Sequence, residues 1–123
     1  MLKKFEIQGE HTVVDEPLRK YVNKKIGSLD TYLPKNARES AHAVVHLKED
    51  PKKKDNNHCT CEVVFRLPHQ TIVITEHALN MYAAVDIAEA KLKQQIQKYK
   101  DKHENGKTKR RLFGRLRRQN KFN

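Results

Sequence analysis

Lysines 91, 93, 98 and 100 and glutamines 94 and 97 punctuate the segment NMYAAVDIAEAKLKQQIQKYKDK (80–102) at spacings that line charge along an apolar stripe. Ammonium groups held in rows on a rigid rod, with amides between them, suit one chemistry: neutralising the phosphates of a large polyanion. The rod comes from Met81, Val85, Ala88, Leu92, Ile96 and Tyr99, which recur on one face of a helical period. At about 100° per residue, Lys91 and Lys98 fall on one flank, Lys93 and Lys100 on the other, and Gln94 and Gln97 point outward. Lys102 closes the series. The apolar face has to be buried.

A basic tail follows directly. Residues 104–123 hold Lys107, Lys109, Arg110, Arg111, Arg115, Arg117, Arg118 and Lys121 against Glu104 alone. Residues 1–103 hold 18 basic and 14 acidic side chains, so the tail carries +7 of the formal net charge of +11. Like charges at this density repel and bury too little apolar surface to offset chain entropy, so the tail is expected to stay disordered until an acidic partner neutralises it. A merely solubilising role is the bland alternative, and the arginine density favours phosphate. Leu112, Phe113 and Leu116 share a helix face if the segment RRLFGRLRRQNKF folds on its target.

Other chemistries find little support. There is no Gly-rich phosphate loop, no nucleophile elbow and no pair of carboxylates in one expected cleft, so no enzyme is read here and no cofactor is expected. His42 and His46 share one strand face while Cys59 and Cys61 share the opposite kind, a poor basis for a four-ligand zinc site. The two cysteines flank Thr60 on a strand, where a bridge between them is geometrically poor, so both are read as buried thiols. Asp86 projects away from the helical stripe and is read as a local hydrogen-bond acceptor or a partner that orients a lysine. Neither a signal peptide nor a run of roughly 20 apolar residues is visible, and a cytoplasmic location is expected.

The remaining elements must position the basic rod. At 123 residues the chain has room for one domain of about 100 residues. Phe5 and Ile7 alternate with polar neighbours in a short strand that Gly9 is expected to end. A helix from Asp15 to Leu33 follows: Asp15 as N-cap, Pro17 in the first turn, and a buried stripe of Leu18, Val22, Ile26, Leu29 and Leu33 until Pro34. Lys20 and Lys24 face outward from that stripe, with Arg19 and Lys25 at its borders. Ala41, Ala43, Val45 and Leu47 then alternate in a second strand, Cys59, Cys61, Val63, Phe65 and Leu67 in a third, and Ile72 and Ile74 in a fourth. The intervening EDPKKKDNN, with Lys52, Lys53 and Lys54, reads as an exposed hairpin loop whose lysines stay solvated. The long link between the first two strands permits a right-handed parallel crossover, and the short later links favour antiparallel pairing. The result is an α+β two-layer sandwich, β-α-β-β-β-α, with a four-stranded sheet and both helices on one face.

The segments VVDEPLRKYVNKKIGSLDTYL and NMYAAVDIAEAKLKQQIQKYK, separated by three strands, resemble the ribosome hibernation promoting factor and ribosome-associated inhibitor family over roughly residues 2–102. The resemblance rests on Leu18, Arg19, Tyr21, Val22, Lys24, Lys25 and Leu29 in the first helix and on Met81, Tyr82, Ala83, Ala84, Asp86, Lys91, Leu92, Gln95, Lys98 and Lys100 in the second. It implies a fold like that of double-stranded RNA-binding domains and a protein that sits in the small ribosomal subunit near the decoding centre. There it occupies the paths of messenger and transfer RNA and inhibits translation under stress. The ribosome and its small-subunit RNA are thus the implied partners, with no membrane and no small-molecule substrate. The basic character of both helices carries over, so Arg19, Lys20, Lys24 and Lys25 and then Lys91, Lys93, Lys98, Lys100 and Lys102 are the candidate ribosomal-RNA contacts. The cations of the tail, from Lys107 to Arg118, are a second set.

Three departures bear on the exact contacts. Leu79 and Asn80 replace an acidic pair, Lys93 stands where glutamate is common, and Gln94 and Gln97 stand where arginine is frequent. Long family members carry a second, dimerising domain after a linker, which this sequence stops short of, so it reads as a short form or as part of a longer one. Short relatives either form ribosome dimers with a separate small modulation factor or hold single ribosomes inactive, and the residues select neither. Two other readings stand beside this one. A generic duplex-RNA module acting off the ribosome would bind free duplex as well as ribosomes, and a membrane-surface or acidic-protein adaptor would lose liposome binding with residues 104–123. Reversal of Lys91, Lys98 and Lys100 to glutamate is expected to remove ribosome binding with the fold intact.

Overall fold

The computed structural model describes residues 2–50 and 58–103. The loop lysines 52, 53 and 54 and the whole tail, residues 104–123, lie outside the described residues, as do the expectations placed on them and on the boundary at 103. The elements are β1 (Lys4–Glu10), α1 (Glu16–Lys25), a 3₁₀ segment (Gly27–Tyr32), α2 (Lys35–Arg38), β2 (His42–Glu49), β3 (Cys59–Leu67), β4 (Gln70–Ala78) and α3 (Met81–His103). The strands lie side by side in chain order, β1 parallel to β2 and the other pairs antiparallel. A parallel pair needs a crossover, which the stretch from α1 to α2 supplies. The β3–β4 hairpin turns on Pro68 and His69, the latter at φ 68°. Proline sets the first turn residue and a left-handed residue completes it.

One face of the sheet holds the core. Ala43, Val45, Leu47, Cys61, Val63, Phe65 and Ile72 are buried there, as their alternation predicts. Leu18, Val22, Ile26, Leu29 and Leu33 cover them from the crossover, and Met81, Val85, Ala88, Leu92, Ile96 and Tyr99, joined by Ala84, from α3. At about 1.5–3 kcal/mol for each large aliphatic side chain taken out of water, this seam dominates the stability of the domain. Both helices do lie on one face, and the expected α+β two-layer sandwich is the observed one.

The first helix departs from expectation in its second half. Asp15 caps it as predicted, its Oδ1 accepting from the Leu18 N–H at 3.0 Å, but the α-helix ends at Lys25 rather than running to Leu33. From Gly27 the chain tightens into 3₁₀ geometry, with the Leu29 N–H on the Ile26 carbonyl at 3.1 Å. Gly27, Ser28, Asp30 and Thr31 are all weak helix formers. Ser28 and Thr31 also turn their hydroxyls onto the carbonyls of Lys24 (2.5 Å) and Ser28 (3.0 Å), competing for backbone acceptors. Arg38 fastens the end of the segment by donating to the Asp30 and Leu33 carbonyls, each at 3.2 Å. The apolar stripe survives the change because residues three or four apart stay on one side in either geometry.

β1 likewise runs through Gly9 to Glu10, where Glu10 pairs with Lys48 in the ladder. The glycine serves packing rather than termination. After His11, at φ 56°, the chain folds back, and a Cβ on residue 9 would lie 2.9 Å from the Thr12 carbonyl oxygen and 2.9 Å from Val14 Cγ2. The helices leave the second face of the sheet open. Across it the register sets Lys4, His42, Arg66 and Thr71 in one row and Glu6, Val44, Val64 and Val73 in the next.

Because one of the atoms that a Gly9 side chain would meet is backbone, Gly9→Ala should destabilise the domain by about 1–3 kcal/mol. Urea unfolding monitored by circular dichroism measures this, and an unchanged midpoint would show that the Thr12–Val14 return yields freely.

Candidate nucleic-acid interface

The two long helices present their polar sides together, and a short polar network joins them. The Tyr21 hydroxyl donates to the Asp86 carboxylate, and the Tyr21 and Tyr82 rings meet edge to face at 4.9 Å. Lys25 reaches Asp86 at 3.7 Å and Glu89 at 4.0 Å and lies 5.6 Å above the Tyr21 ring. Lys93 shares Glu89 at 4.0 Å and stands 5.5 Å over Tyr32 of the 3₁₀ segment. Tyr21, Lys25 and Tyr32 thus follow α3 residues 82, 86–89 and 93 in the same order, so the crossover runs alongside the first half of α3. Asp86 is the lysine-orienting acceptor that its position on the helix suggested. Each half-exposed ion pair is worth about 0.2–1 kcal/mol. The network therefore sets the relative placement of the helices more than their stability.

This sorts the basic residues named from the sequence. On the far flank of α3, Lys91 is held 2.5 Å from Glu76 of β4. Lys25, Lys91 and Lys93 are thus all engaged with carboxylates, while Lys100 is half-buried. Arg19, Lys20, Lys24, Lys98 and Lys102 are exposed and make no side-chain hydrogen bond or ion pair with any described residue. Lys20 and Lys24 face outward on α1, and Lys98 and Lys102 project on the β4 side of the second half of α3, beyond the reach of the Tyr21 network. Lys91 is consequently a tie between α3 and the sheet. Its reversal to glutamate would set two carboxylates against each other, so a variant that includes it reads the Glu76 contact as well as binding.

Asn80 caps α3 through the Ala83 N–H at 2.8 Å, compensating for the missing acidic pair. Gln97 is turned to Asp101 at 3.2 Å. Cys59 and Cys61 are free and buried. Burial, with a smaller push from Glu76, raises the Cys61 thiol to about 12, and burial followed by Glu49 raises Cys59. One group of metal-ligand type escaped sequence reasoning: Glu49, His58 and Cys59 bring their ligand atoms within 4.8 Å of one another. Strand alternation could not reveal it, because His58 lies just outside β3. Donor atoms in a closed tetrahedral zinc shell stand about 3.5 Å apart, and the Cys59 thiol already donates to the Leu79 carbonyl at 3.7 Å. No helix of the described residues is long and apolar enough to cross a membrane.

A mixed four-stranded sheet with both long helices on one face is also the fold of two solved structures. The Thermus thermophilus Protein Y N-terminal domain is 26% identical with a TM-score of 0.64, over 76% of this chain and 94% of that one. A ribosomal subunit interface protein from Coxiella burnetii, at 23% identity and a TM-score of 0.63 over 79% and 97%, shares the fold. The family model described as Sigma 54 modulation protein / S30EA ribosomal protein matches residues 5–104, and the chain belongs to that family. Its relatives include the ribosome hibernation promotion factors of Lactococcus lactis subsp. cremoris, 36% identical over 97 residues, and of Staphylococcus aureus, 32% identical over 97 residues. Each match covers 79% of this chain but 49% and 48% of the respective relative, so the chain spans about half the length of the curated relatives it matches.

Two measurements probe the site. The hydrogen bond to Asp86 is the first cause, and burial the next, that raises the Tyr21 hydroxyl from 10.0 to about 12. An acid whose folded value is raised contributes stability that is full below its unfolded value and lost as pH rises through the folded one. Tyr21→Phe should therefore cost about 0.5–1 kcal/mol at pH 7, and its deficit in urea unfolding should shrink between pH 10 and 12. A pH-independent deficit would assign the loss to ring packing. In the second, Cys61 should resist a thiol reagent at pH 8 until urea unfolds the chain, and prompt labelling of the native protein at that residue would contradict its burial.

Proposed function

We propose that this chain binds the ribosome through RNA phosphates and holds it inactive by occupancy. The observation that carries the reading is the set of unengaged cations, Arg19, Lys20, Lys24, Lys98 and Lys102, on the helix side of a domain of this family. Support also comes from relatives named ribosome hibernation promotion factors and from a fold neighbour named a ribosomal subunit interface protein. Ribosomal RNA is a folded A-form polyanion, contacted mostly at phosphates and 2′-hydroxyls, so cations fixed on sheet-backed helices supply affinity without base recognition. The proposed location is the small subunit near the decoding centre, where a domain of this size blocks messenger and transfer RNA and inhibits translation in stress. Occupancy requires no catalytic group. Residues 104–123, with +7 of the net charge, act in this reading as a second phosphate-contacting segment.

Sedimentation of the purified chain with ribosomes on a sucrose gradient tests this. Co-migration with small-subunit-containing particles is expected, and any shift to ribosome dimers is scored in the same run. Absence from every ribosomal fraction overturns the proposal. If about six to eight phosphates are neutralised, log affinity falls against log salt with a slope of roughly −4 to −7. The triple variant Arg19→Glu/Lys24→Glu/Lys98→Glu should bind much more weakly, with a slope flatter by about 2 to 3, while unfolding as the wild type does. Removal of residues 104–123 should also flatten the slope, and an identical slope would show the segment idle.

A further inference from the structure

We propose a second anion site on the open face of the sheet, a cleft built by Lys4, Ser40, His42 and Arg66 that takes a backbone phosphate of RNA. The inference rests on the RNA-binding reading above and deepens it, since it places a contact on the side of the domain opposite the helices.

The strand register builds the site. Parallel pairing sets Lys4 beside His42, and antiparallel pairing sets His42 beside Arg66. The Lys4 ammonium and the Arg66 guanidinium are thus carried two strands apart, about 10 Å at the backbone, with an imidazole between them. Together with Ser40, Leu67 and Pro68 these side chains line a broad cleft of about 470 Å³. No described acidic residue lines it, and neither Lys4, His42 nor Arg66 makes a side-chain hydrogen bond or ion pair with any described residue. The contrast with Lys25, Lys91 and Lys93, each matched by a carboxylate, is informative. Where this domain holds its lysines for structure it supplies an acid, and here it supplies none.

The donors fit a phosphate group. A guanidinium offers a planar fork to two oxygens, an ammonium adds a mobile point charge, and an imidazole presents an N–H in either tautomer. Ser40 adds a hydroxyl whose own contact, to the Ala37 carbonyl, is long at 3.5 Å. Leu67 and Pro68 complete the lining. Among the described residues no Phe, Tyr or Trp lines the cleft, and its cationic donors suit the backbone phosphate.

Location favours a polymer over a free anion. Tyr99, in the last turns of α3, donates to the Pro68 carbonyl at 3.1 Å, and Pro68 walls the cleft. The end of α3, with Lys98 and Lys102, therefore packs against the turn that borders Lys4, His42 and Arg66. Cations continue from the helix side, round this end of the sheet, to its open face. One RNA strand following that path meets both sets.

The test compares the full chain with Lys4→Glu/Arg66→Glu and with Lys24→Glu/Lys98→Glu, by ribosome co-sedimentation across a salt series. NMR titrations of the wild type with inorganic phosphate and with a 12-nucleotide single-stranded RNA accompany it. The cleft variant should lose about tenfold in affinity and flatten the salt slope by about 2, with an unchanged unfolding midpoint. The RNA should shift the His42 and Arg66 resonances at concentrations where phosphate does not. Full binding and slope in the cleft variant, with loss in the helix variant, overturns the cleft and leaves the helix reading standing. Full binding by both variants overturns both. Shifts at His42 and Arg66 with phosphate that the RNA fails to reproduce also overturn the proposal, by making the cleft a free-anion site.

Discussion

Every functional surface of this domain depends on the dry seam between α3 and the sheet. Leu92 and Ile96 on the helix and Val63 and Phe65 on the sheet are almost completely excluded from water. At roughly 1.5–3 kcal/mol per large side chain the seam outweighs any of the half-exposed ion pairs, which contribute up to about 1 kcal/mol each. With one face of the sheet committed to this contact and one face of α3 consumed by it, the lysines that border the stripe are fixed in direction. They become a row because the helix cannot roll.

The polar network between α1 and α3 acts at a smaller scale and does a different job. Tyr21, Asp86, Lys25, Glu89 and Lys93 form one continuous set of contacts across the helix pair. Burial is not directional and would tolerate small slides of α1 along α3, whereas hydrogen bonds and ring contacts hold one placement. The acids that create this placement also remove two lysines, Lys25 and Lys93, from the pool available to an outside polyanion, and Glu76 of β4 removes a third, Lys91. A count of basic residues therefore overstates the charge such a partner meets, and the unengaged residues at 19, 20, 24, 98 and 102 describe it better.

Much of this architecture is legible from residue types because the chain is locally consistent. The alternation of Ala43, Val45 and Leu47 and of Cys61, Val63 and Phe65 names the buried face of each strand, and Asp15 and Asn80 cap the helices as their types suggest. The 3₁₀ turn from Gly27 to Tyr32 was hidden because its apolar residues keep a spacing that helix periodicity also fits, while the deciding hydroxyl-to-carbonyl bonds are local details of Ser28 and Thr31. The role of Gly9 was hidden for the opposite reason: its close neighbours, Thr12 and Val14, come from a fold-back that no periodicity encodes.

By itself the sequence determined the order of the strands and the two long helices, though not the 3₁₀ segment or the short α2, together with the two buried stripes, the capping residues and an excess of positive charge concentrated beyond residue 103. These follow from period, propensity and composition, which are properties of neighbours along the chain. Only the tertiary structure decided which cations are matched and which are left over. Glu76 meets Lys91, Glu89 meets Lys25 and Lys93, and Lys4, His42 and Arg66 share one row across three strands. Electrostatic pairing depends on distance through space, and that distance is set by strand register and helix placement rather than by separation in sequence.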